Sequence, residues 1–199
     1  MTVDPTVPRR ALLSPQMNAR VAGALYLVNI ATSLIAFSGK GSHMLIVASG
    51  LVALVATASY VAVTILLYYL FKPVSMRLSF LAALFSLAEC IIGVVNPLHL
   101  LPFRIHGLVF FGIYCLIVAT LIVRSKFLPK ILGGLLAVAG VGWLTFVSKD
   151  LAASLSPYHY VVGGIGEGVL TLWLLIAGVD APRWNEQASA RHMVASEPL

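Results

Sequence analysis

Charged side chains are scarce in this chain, and their scarcity decides its class. Only 10% of the 199 residues are charged, 60% are hydrophobic, and the mean hydropathy is +0.98. A soluble domain has about 25% charged and about 45–50% apolar residues. The composition therefore predicts an integral membrane protein, for which the lipid bilayer is the main partner.

Cysteines and catalytic motifs are also scarce. Cys90 and Cys115 lie in separate apolar runs without a CxxC or histidine partner, which argues against a disulfide framework or a zinc site. The chain has no Walker loop, no HExxH, no GxSxG and no GxGxxG after a strand. We therefore expect no cofactor and no metal. Basic membrane loops explain the net charge of +6, so no nucleic-acid partner is expected.

Long apolar runs take the place of these motifs. A helix of roughly 20 apolar residues crosses the hydrocarbon core of a bilayer. Six such runs predict an all-α polytopic membrane protein, a single bundle of six transmembrane helices over residues 18–180. Polar tails at 1–17 and 181–199 are expected to be disordered and cytoplasmic. The predicted spans are approximately 20–37, 44–71, 78–97, 107–123, 131–147 and 158–179.

The distribution of lysine and arginine predicts the orientation. With the N-terminus inside, ten of these residues face the cytoplasm, and only Lys40, Arg104 and Lys149 lie outside. This asymmetry follows the positive-inside rule. An even number of spans independently places both termini on the same side. We therefore expect both termini in the cytoplasm.

Two glutamates lie inside apolar runs and are the candidate catalytic residues. Glu89 lies within "ALFSLAECIIGVV" at 83–95, and Glu167 lies within "GGIGEGVLTLWLL" at 163–175. Burying a carboxylate in a bilayer costs something like 2–3 kcal/mol on insertion scales, so such residues are usually functional. Span depth places Glu89 near the midplane and Glu167 roughly 10 Å below the outer surface.

Polar residues at helical spacing predict which faces meet in the interior. Ser86 and Asn96 share the face of Glu89, and Thr171 shares the face of Glu167. Span 1 contributes Tyr26 and Asn29. The span at 131–147 is almost purely small and apolar and is interpreted as packing.

Two further features bound this predicted interior. Gly164 and Gly168 form a GxxxG pair, which predicts close approach of a neighbouring helix. The outer loop at 96–107 holds His99, Arg104 and His106, which are expected to close the outer end. The predicted pocket residues are Tyr26, Asn29, Ser86, Asn96, His99, Arg104, His106 and Thr171. A simpler interpretation of Asn29, Ser86 and Thr171 is hydrogen bonding between helices.

Several segments carry a resemblance to a known family. The opening "RVAGALYL" at 20–27, the loop "RSKFLPKILG" at 124–133 and the acid before "LWLL" at 172–175 resemble the bacterial multi-pass family catalogued as domain of unknown function 4386. The resemblance extends over nearly the whole chain after Met17. It implies six helices, a bacterial cytoplasmic (inner) membrane location and no established activity.

Three functions remain open on the sequence. The first is an intramembrane pocket that binds or converts a lipophilic small molecule, with Glu89 and Glu167 as an acid/base pair. The second is a small proton-coupled transporter or exporter, which would be a homo-oligomer using the same acids. The third is a structural or regulatory partner that binds another membrane protein through its small-residue faces.

Overall fold

A computed structural model describes residues 14–38, 43–95 and 106–196. The secondary structure in these ranges is entirely helical, which confirms the all-α prediction for them. The N-terminal segment 1–13 and the candidate site residues Asn96, His99 and Arg104 lie outside the described residues. The helices are α1 (Pro15–Ser38), α2 (His43–Phe71), α3 (Met76–Val95), α4 (Gly107–Arg124), α5 (Lys130–Leu144), α6 (Lys149–Ser154), α7 (Tyr158–Ile176) and α8 (Ala181–Ser196), with a 3-10 turn at Thr145–Val147.

The helix ends follow local chemistry. Pro73 comes two residues after the end of α2, and Pro129 and Pro157 directly precede α5 and α7. Proline lacks the N–H that a helix interior needs but fits beside a first turn, so it separates successive helices. These boundaries agree closely with the apolar runs of the sequence.

The long helices form a ring. Each packs on its neighbour in the chain, α1 on α2, α2 on α3, α3 on α4, α4 on α5 and α5 on α7. Helix α7 then packs against α1 and closes the ring. The buried side chains of the six helices therefore meet in one shared interior.

Five helical segments are long and apolar enough to cross a membrane. They are Gly50–Phe71, Met76–Val95, Gly107–Arg124, Lys130–Val147 and Tyr158–Ile176. Helix α1 is 24 residues long but less apolar, because it carries Asn18, Arg20 and Asn29. Large apolar side chains cover the outside of the ring, as Leu54, Ile91 and Ile131 illustrate, each more than 60% exposed. This outward apolar surface suits lipid, and the protein is a multi-pass membrane protein.

The C-terminal segment differs from the expected disordered tail, because residues Ala181–Ser196 form helix α8. The Asp180 side chain accepts a hydrogen bond from the Arg183 N–H at 3.1 Å and caps the first turn. The Trp184 indole N–H donates to the carbonyl of Leu70 at 2.8 Å. Polarity alone suggested disorder, whereas the cap and these contacts with other elements hold a helix in place.

One end of the bundle collects basic residues, and we call it the basic end. Here Arg191 donates to the Lys72 carbonyl, and the Lys126 N–H donates to Gln187 Oε1 at 3.0 Å, so α8 contacts two interhelical loops. The Gln16 amide donates to the Ala177 carbonyl at 2.9 Å, which places the start of α1 there too. The basic residues of this end are Lys72, Arg77, Arg124, Lys126, Lys130, Arg183 and Arg191.

Candidate functional site

Glu167 lies on the buried face of α7. That face consists of His159, Gly163, Gly166, Glu167, Leu170, Thr171 and Leu174, which recur at each helical turn as single residues or adjacent pairs. The Glu167 side chain is only 8% exposed, nine residues into the helix and roughly 13 Å from its first residue. The sequence prediction that Glu167 points into the bundle agrees with this position.

Two neighbouring helices each supply a donor to Glu167. The Trp143 indole N–H of α5 donates to Glu167 Oε1 at 2.7 Å, and the Tyr26 hydroxyl of α1 donates to Oε2 at 3.3 Å. Both donors are uncharged. The carboxyl group therefore joins α1, α5 and α7 at one point, and both of its oxygens are oriented.

Glycines on α7 make room for the indole of Trp143. A Cβ atom added at Gly163 would overlap the Trp143 ring. One added at Gly166 would lie 2.7 Å from the carbonyl oxygen of Leu135, a backbone atom that has little freedom to move. Helices α5 and α7 thus approach closely, and the approach lets Trp143 reach Glu167.

Five aromatic residues form a layer around this carboxyl group, and we call them the aromatic layer. They are Tyr26, Tyr60, Phe111, Tyr114 and Trp143. The ring centroids of Tyr26 and Tyr60 lie 6.2 Å apart, and those of Phe111 and Trp143 lie 5.9 Å apart. Such contacts fix ring positions beyond what burial alone does. The layer therefore holds both donors of Glu167 in place.

Glu89 lies beside the first residue of α4. A Cβ atom added at Gly107, the first residue of α4, would lie 3.6 Å from Glu89 Cγ. Because α4 begins only at Gly107, this position is level with the end of α4, about one helical turn from Phe111. Helix α3 extends six residues beyond Glu89, to Val95, so it reaches further in this direction than the first residue of α4.

The surroundings of Glu89 differ from those of Glu167. Glu89 is half-buried, and within the described ranges its only hydrogen-bonding contact is Cys90 Sγ at 3.9 Å. One acid is thus fixed inside the aromatic layer, whereas the other has no partner besides Cys90 among the described residues.

The other described pocket residues have different partners. The Asn29 side-chain amide donates to the Ala56 carbonyl at 3.0 Å, and the Ser86 and Thr64 hydroxyl oxygens are 2.5 Å apart. These contacts join α1 to α2 and α2 to α3, and neither of them involves Glu89 or Glu167. The Thr171 hydroxyl is buried and has no partner among the described residues. The structure therefore brings together Tyr26 and Glu167 but not Asn29 or Ser86.

His106 belongs to a second aromatic cluster at the end opposite the basic end. The ring centroids of His106 and Phe146 lie 4.8 Å apart, and those of Phe146 and His159 lie 4.7 Å apart. Phe146 also stacks on Trp143, with centroids 6.2 Å apart. The cluster thus connects this end of the bundle to the donor of Glu167. No group of three or more His, Cys, Asp or Glu side chains in the described part of the chain could hold a metal.

Two expectations from the sequence differ from the packing within this bundle. Gly164 and Gly168 meet nothing within 4 Å, and the close packing falls to Gly163 and Gly166 instead. Helix α5, interpreted as packing alone, supplies Trp143. The sequence did contain a signal for Trp143. A buried tryptophan N–H usually finds an acceptor, so a tryptophan in a run without other polar side chains indicates a hydrogen bond to a neighbouring helix.

Comparison with known proteins gives a family but no activity. The profile of the family described as "Domain of unknown function (DUF4386)" matches residues 103–178. An uncharacterized protein of Archaeoglobus fulgidus is 30% identical over 132 residues, which cover 59% of this chain and 76% of that relative. The chain belongs to the DUF4386 family. The DUF4386 match includes Trp143 and Glu167, while Tyr26 and Glu89 lie outside it. No solved structure matches the chain.

Proposed function

We propose that this DUF4386 protein binds a lipophilic small molecule within the membrane, beside Glu89 and Glu167. The observation that carries the proposal is the fixed carboxyl group of Glu167, whose two oxygens accept from Trp143 and Tyr26. Groups from three helices meet at this one acid, whereas a single interhelical hydrogen bond involves only two helices. A ligand would enter at the end of the bundle where Glu89 and His106 lie.

The two acids have complementary roles in this proposal. Glu167 is held by neutral donors and orients the ligand. Glu89 is half-buried and contacts only Cys90 among the described residues, and it exchanges a proton with the ligand. Acid/base work is easiest when two carboxyl groups have different surroundings, as these two do. The same pair serves either reversible binding or chemical conversion of the ligand.

The proposal includes a membrane topology. Helix α1 crosses the membrane in addition to the five apolar segments, which makes six spans. Both termini are cytoplasmic, and the protein lies in a bacterial cytoplasmic membrane. Support comes from the basic end, where seven lysines and arginines collect with α8 and the start of α1. Such an excess marks the cytoplasmic side of a membrane protein. The proposed binding site then opens toward the outside of the cell.

The test replaces the acids without changing their shape. Glu89→Gln and Glu167→Gln keep the side-chain size and most of the hydrogen bonding but remove the titratable proton. A strain lacking the gene is profiled for altered lipids and metabolites and then complemented with each variant. We expect loss of complementation by each variant, with thermal stability in detergent close to that of the parent.

The outcome also separates the remaining functions. Full complementation by the double Gln variant would refute an acid/base role for the pair. In the other case, complementation is lost and an unmodified compound accumulates on one side of the membrane. That result would favour transport of the compound by the same two acids over its chemical conversion.

A second candidate function rests on the exposed face of α7. Gly164 and Gly168 lie on the surface of the bundle with nothing within 4 Å, although a GxxxG pair favours helix association. We infer that this face binds a helix of a second copy of the chain or of another membrane protein. Gly164→Leu should abolish cross-linking between copies in the membrane, whereas Gly134→Leu, at an equally open glycine of α5, should leave it intact. Equal cross-linking of the two variants would remove this candidate.

A further inference from the structure

Two buried hydroxyl groups take no part in the hydrogen bonds to Glu167 described above. Ser79 of α3 is 1% exposed and Tyr114 of α4 is 2% exposed. Neither the Ser79 Oγ atom nor the Tyr114 hydroxyl has a hydrogen-bond partner in the described ranges. Buried polar atoms almost always have partners, because leaving them unpaired forfeits the hydrogen bonds they make with water.

Ser79 and Tyr114 line the same cavity. It lies between α2, α3 and α4, and its remaining walls are mostly apolar, including Leu67, Phe71, Val118 and Leu121. The space open to the centre of a water molecule is about 10 Å³. That volume corresponds to roughly one water molecule. The cavity is therefore too small for a lipid tail or a metabolite.

Thr64 brings a third hydroxyl group to the lining, and Tyr68 lines the cavity as well. Thr64 of α2 also lines the cavity, donates to the Tyr60 carbonyl at 2.9 Å and lies 2.5 Å from Ser86 Oγ. A buried water needs two to four polar partners, and the three hydroxyl groups supply that number. They carry no charge and are too few for a Ca²⁺ or Mg²⁺ ion, which takes six or more oxygens.

We propose that this cavity binds one ordered water molecule, which bridges the Ser79 and Tyr114 hydroxyl groups. The water accepts or donates hydrogen bonds that the protein itself does not provide to these atoms, and it joins α3 to α4. Thr64 connects it to α2. The three helices are thereby linked through a polar contact in the half of the bundle nearer the basic end.

Tyr114 connects this water to the candidate site. Its ring belongs to the aromatic layer, 6.1 Å from the ring of Tyr60, which in turn contacts Tyr26. Tyr114 is also one of the residues that line the cavity. The water therefore fixes the position of a ring on which the surroundings of Glu167 depend.

A double-mutant cycle in detergent tests the bridge. If water bridges the two groups, Ser79→Ala and Tyr114→Phe each lower the midpoint of thermal unfolding, and the double variant loses less than the sum of the two. Ser79→Ala with Tyr26→Phe is the matched control, because the Tyr26 hydroxyl bonds to Glu167 instead, and these two losses should add. Single variants at least as stable as the parent, or additive losses in the first pair, would overturn the proposal.

A second measurement uses the unmodified protein, so it does not depend on any variant folding. Hydroxyl radicals generated by X-ray radiolysis label buried side chains when a bound water lies beside them. We expect labelling of Tyr114 in the folded protein but not of Tyr26, which is 1% exposed and does not line the cavity. Equal protection of the two tyrosines would contradict a water at this site.

Discussion

At the scale of single residues, the Trp143 indole is the structural partner on which Glu167 most depends. Its 2.7 Å hydrogen bond is the shorter of the two that Glu167 accepts. We predict that Trp143→Phe destabilises the protein by about 1 kcal/mol or more, since a ring remains but a buried acceptor loses its donor. Reversible unfolding in mixed detergent micelles measures the change.

The control for this substitution is Trp173→Phe. Trp173 lies on the same bundle but is 38% exposed on its surface. Its replacement should change stability by no more than about 0.5 kcal/mol, as ordinary surface substitutions do. Equal effects of the two variants would mean that the hydrogen bond to Glu167 contributes nothing measurable.

Tyr26 makes the longer of the two bonds, and its loss tests whether the donors act as a pair. Tyr26→Phe removes the hydroxyl at 3.3 Å and keeps the ring in the aromatic layer. We expect a smaller destabilisation than that of Trp143→Phe, near 0.6 kcal/mol, the average for interhelical bonds in a membrane. Combined with Trp143→Phe it should be non-additive, because both donors serve one carboxyl group. Strict additivity in the same unfolding assay would argue that Glu167 binds each donor independently.

At the scale of helices, the contact of α5 with α7 depends on which glycine faces which neighbour. Gly166→Ala places a methyl group 2.7 Å from the Leu135 carbonyl oxygen, so the helices must separate. We predict a loss of about 1–3 kcal/mol, the usual range for overpacking. Gly164→Ala, two residues away in open space, should be neutral or stabilising by up to about 1 kcal/mol, because alanine favours the helix. The opposite order of the two variants in thermal unfolding would show that α7 is rotated relative to this packing.

Helix α8, which the sequence did not predict, can be tested through its contact with α2. Trp184→Phe removes the hydrogen bond to the Leu70 carbonyl that holds α8 against the end of α2. Trypsin should then cleave after Arg183 and Arg191 faster than in the parent, while the membrane helices stay protected. Unchanged cleavage rates would mean that the remaining contacts of α8 suffice to hold it.

The sequence predicted the helices well and their mutual rotation poorly. Apolar runs bounded by proline and charge locate each helix, and helical spacing puts Glu167 on a buried face. Which neighbour lies opposite that face depends on how α5 and α7 pack, and this packing involves glycines that carry no periodic signal of their own. A hydropathy pattern counts Trp143 as an apolar residue, so it does not indicate the hydrogen-bond donor of the indole. The polar composition of residues 181–196 gave no sign of the carbonyl that Trp184 would reach.

At the scale of the whole molecule, the ring of helices explains how a mostly apolar chain keeps a few polar groups away from lipid. Helix α7 returns to pack on α1, so the two ends of the membrane region meet. Glu167 is bonded to α1 and α5, which flank α7 on its two sides. The acid therefore lies at the closure of the ring, and its two hydrogen bonds favour this arrangement over an open row of helices.

The orientation of that ring in the membrane is the last prediction. The loops at 72–75 and 125–129 both contact α8, so they must lie on the same side, while Lys149 and α6 follow a helix that leads away from the loop at 125–129. The excess of lysine and arginine makes the side of α8 cytoplasmic. Reporter fusions ending after Pro73, Lys126 and Asp180 should therefore show cytoplasmic activity, and a fusion after Lys149 should show external activity. A cytoplasmic signal after Lys149 would contradict a membrane-crossing α5, and a reversed pattern at all four sites would place Glu89 and His106 on the cytoplasmic side and direct the proposed site to molecules made inside the cell.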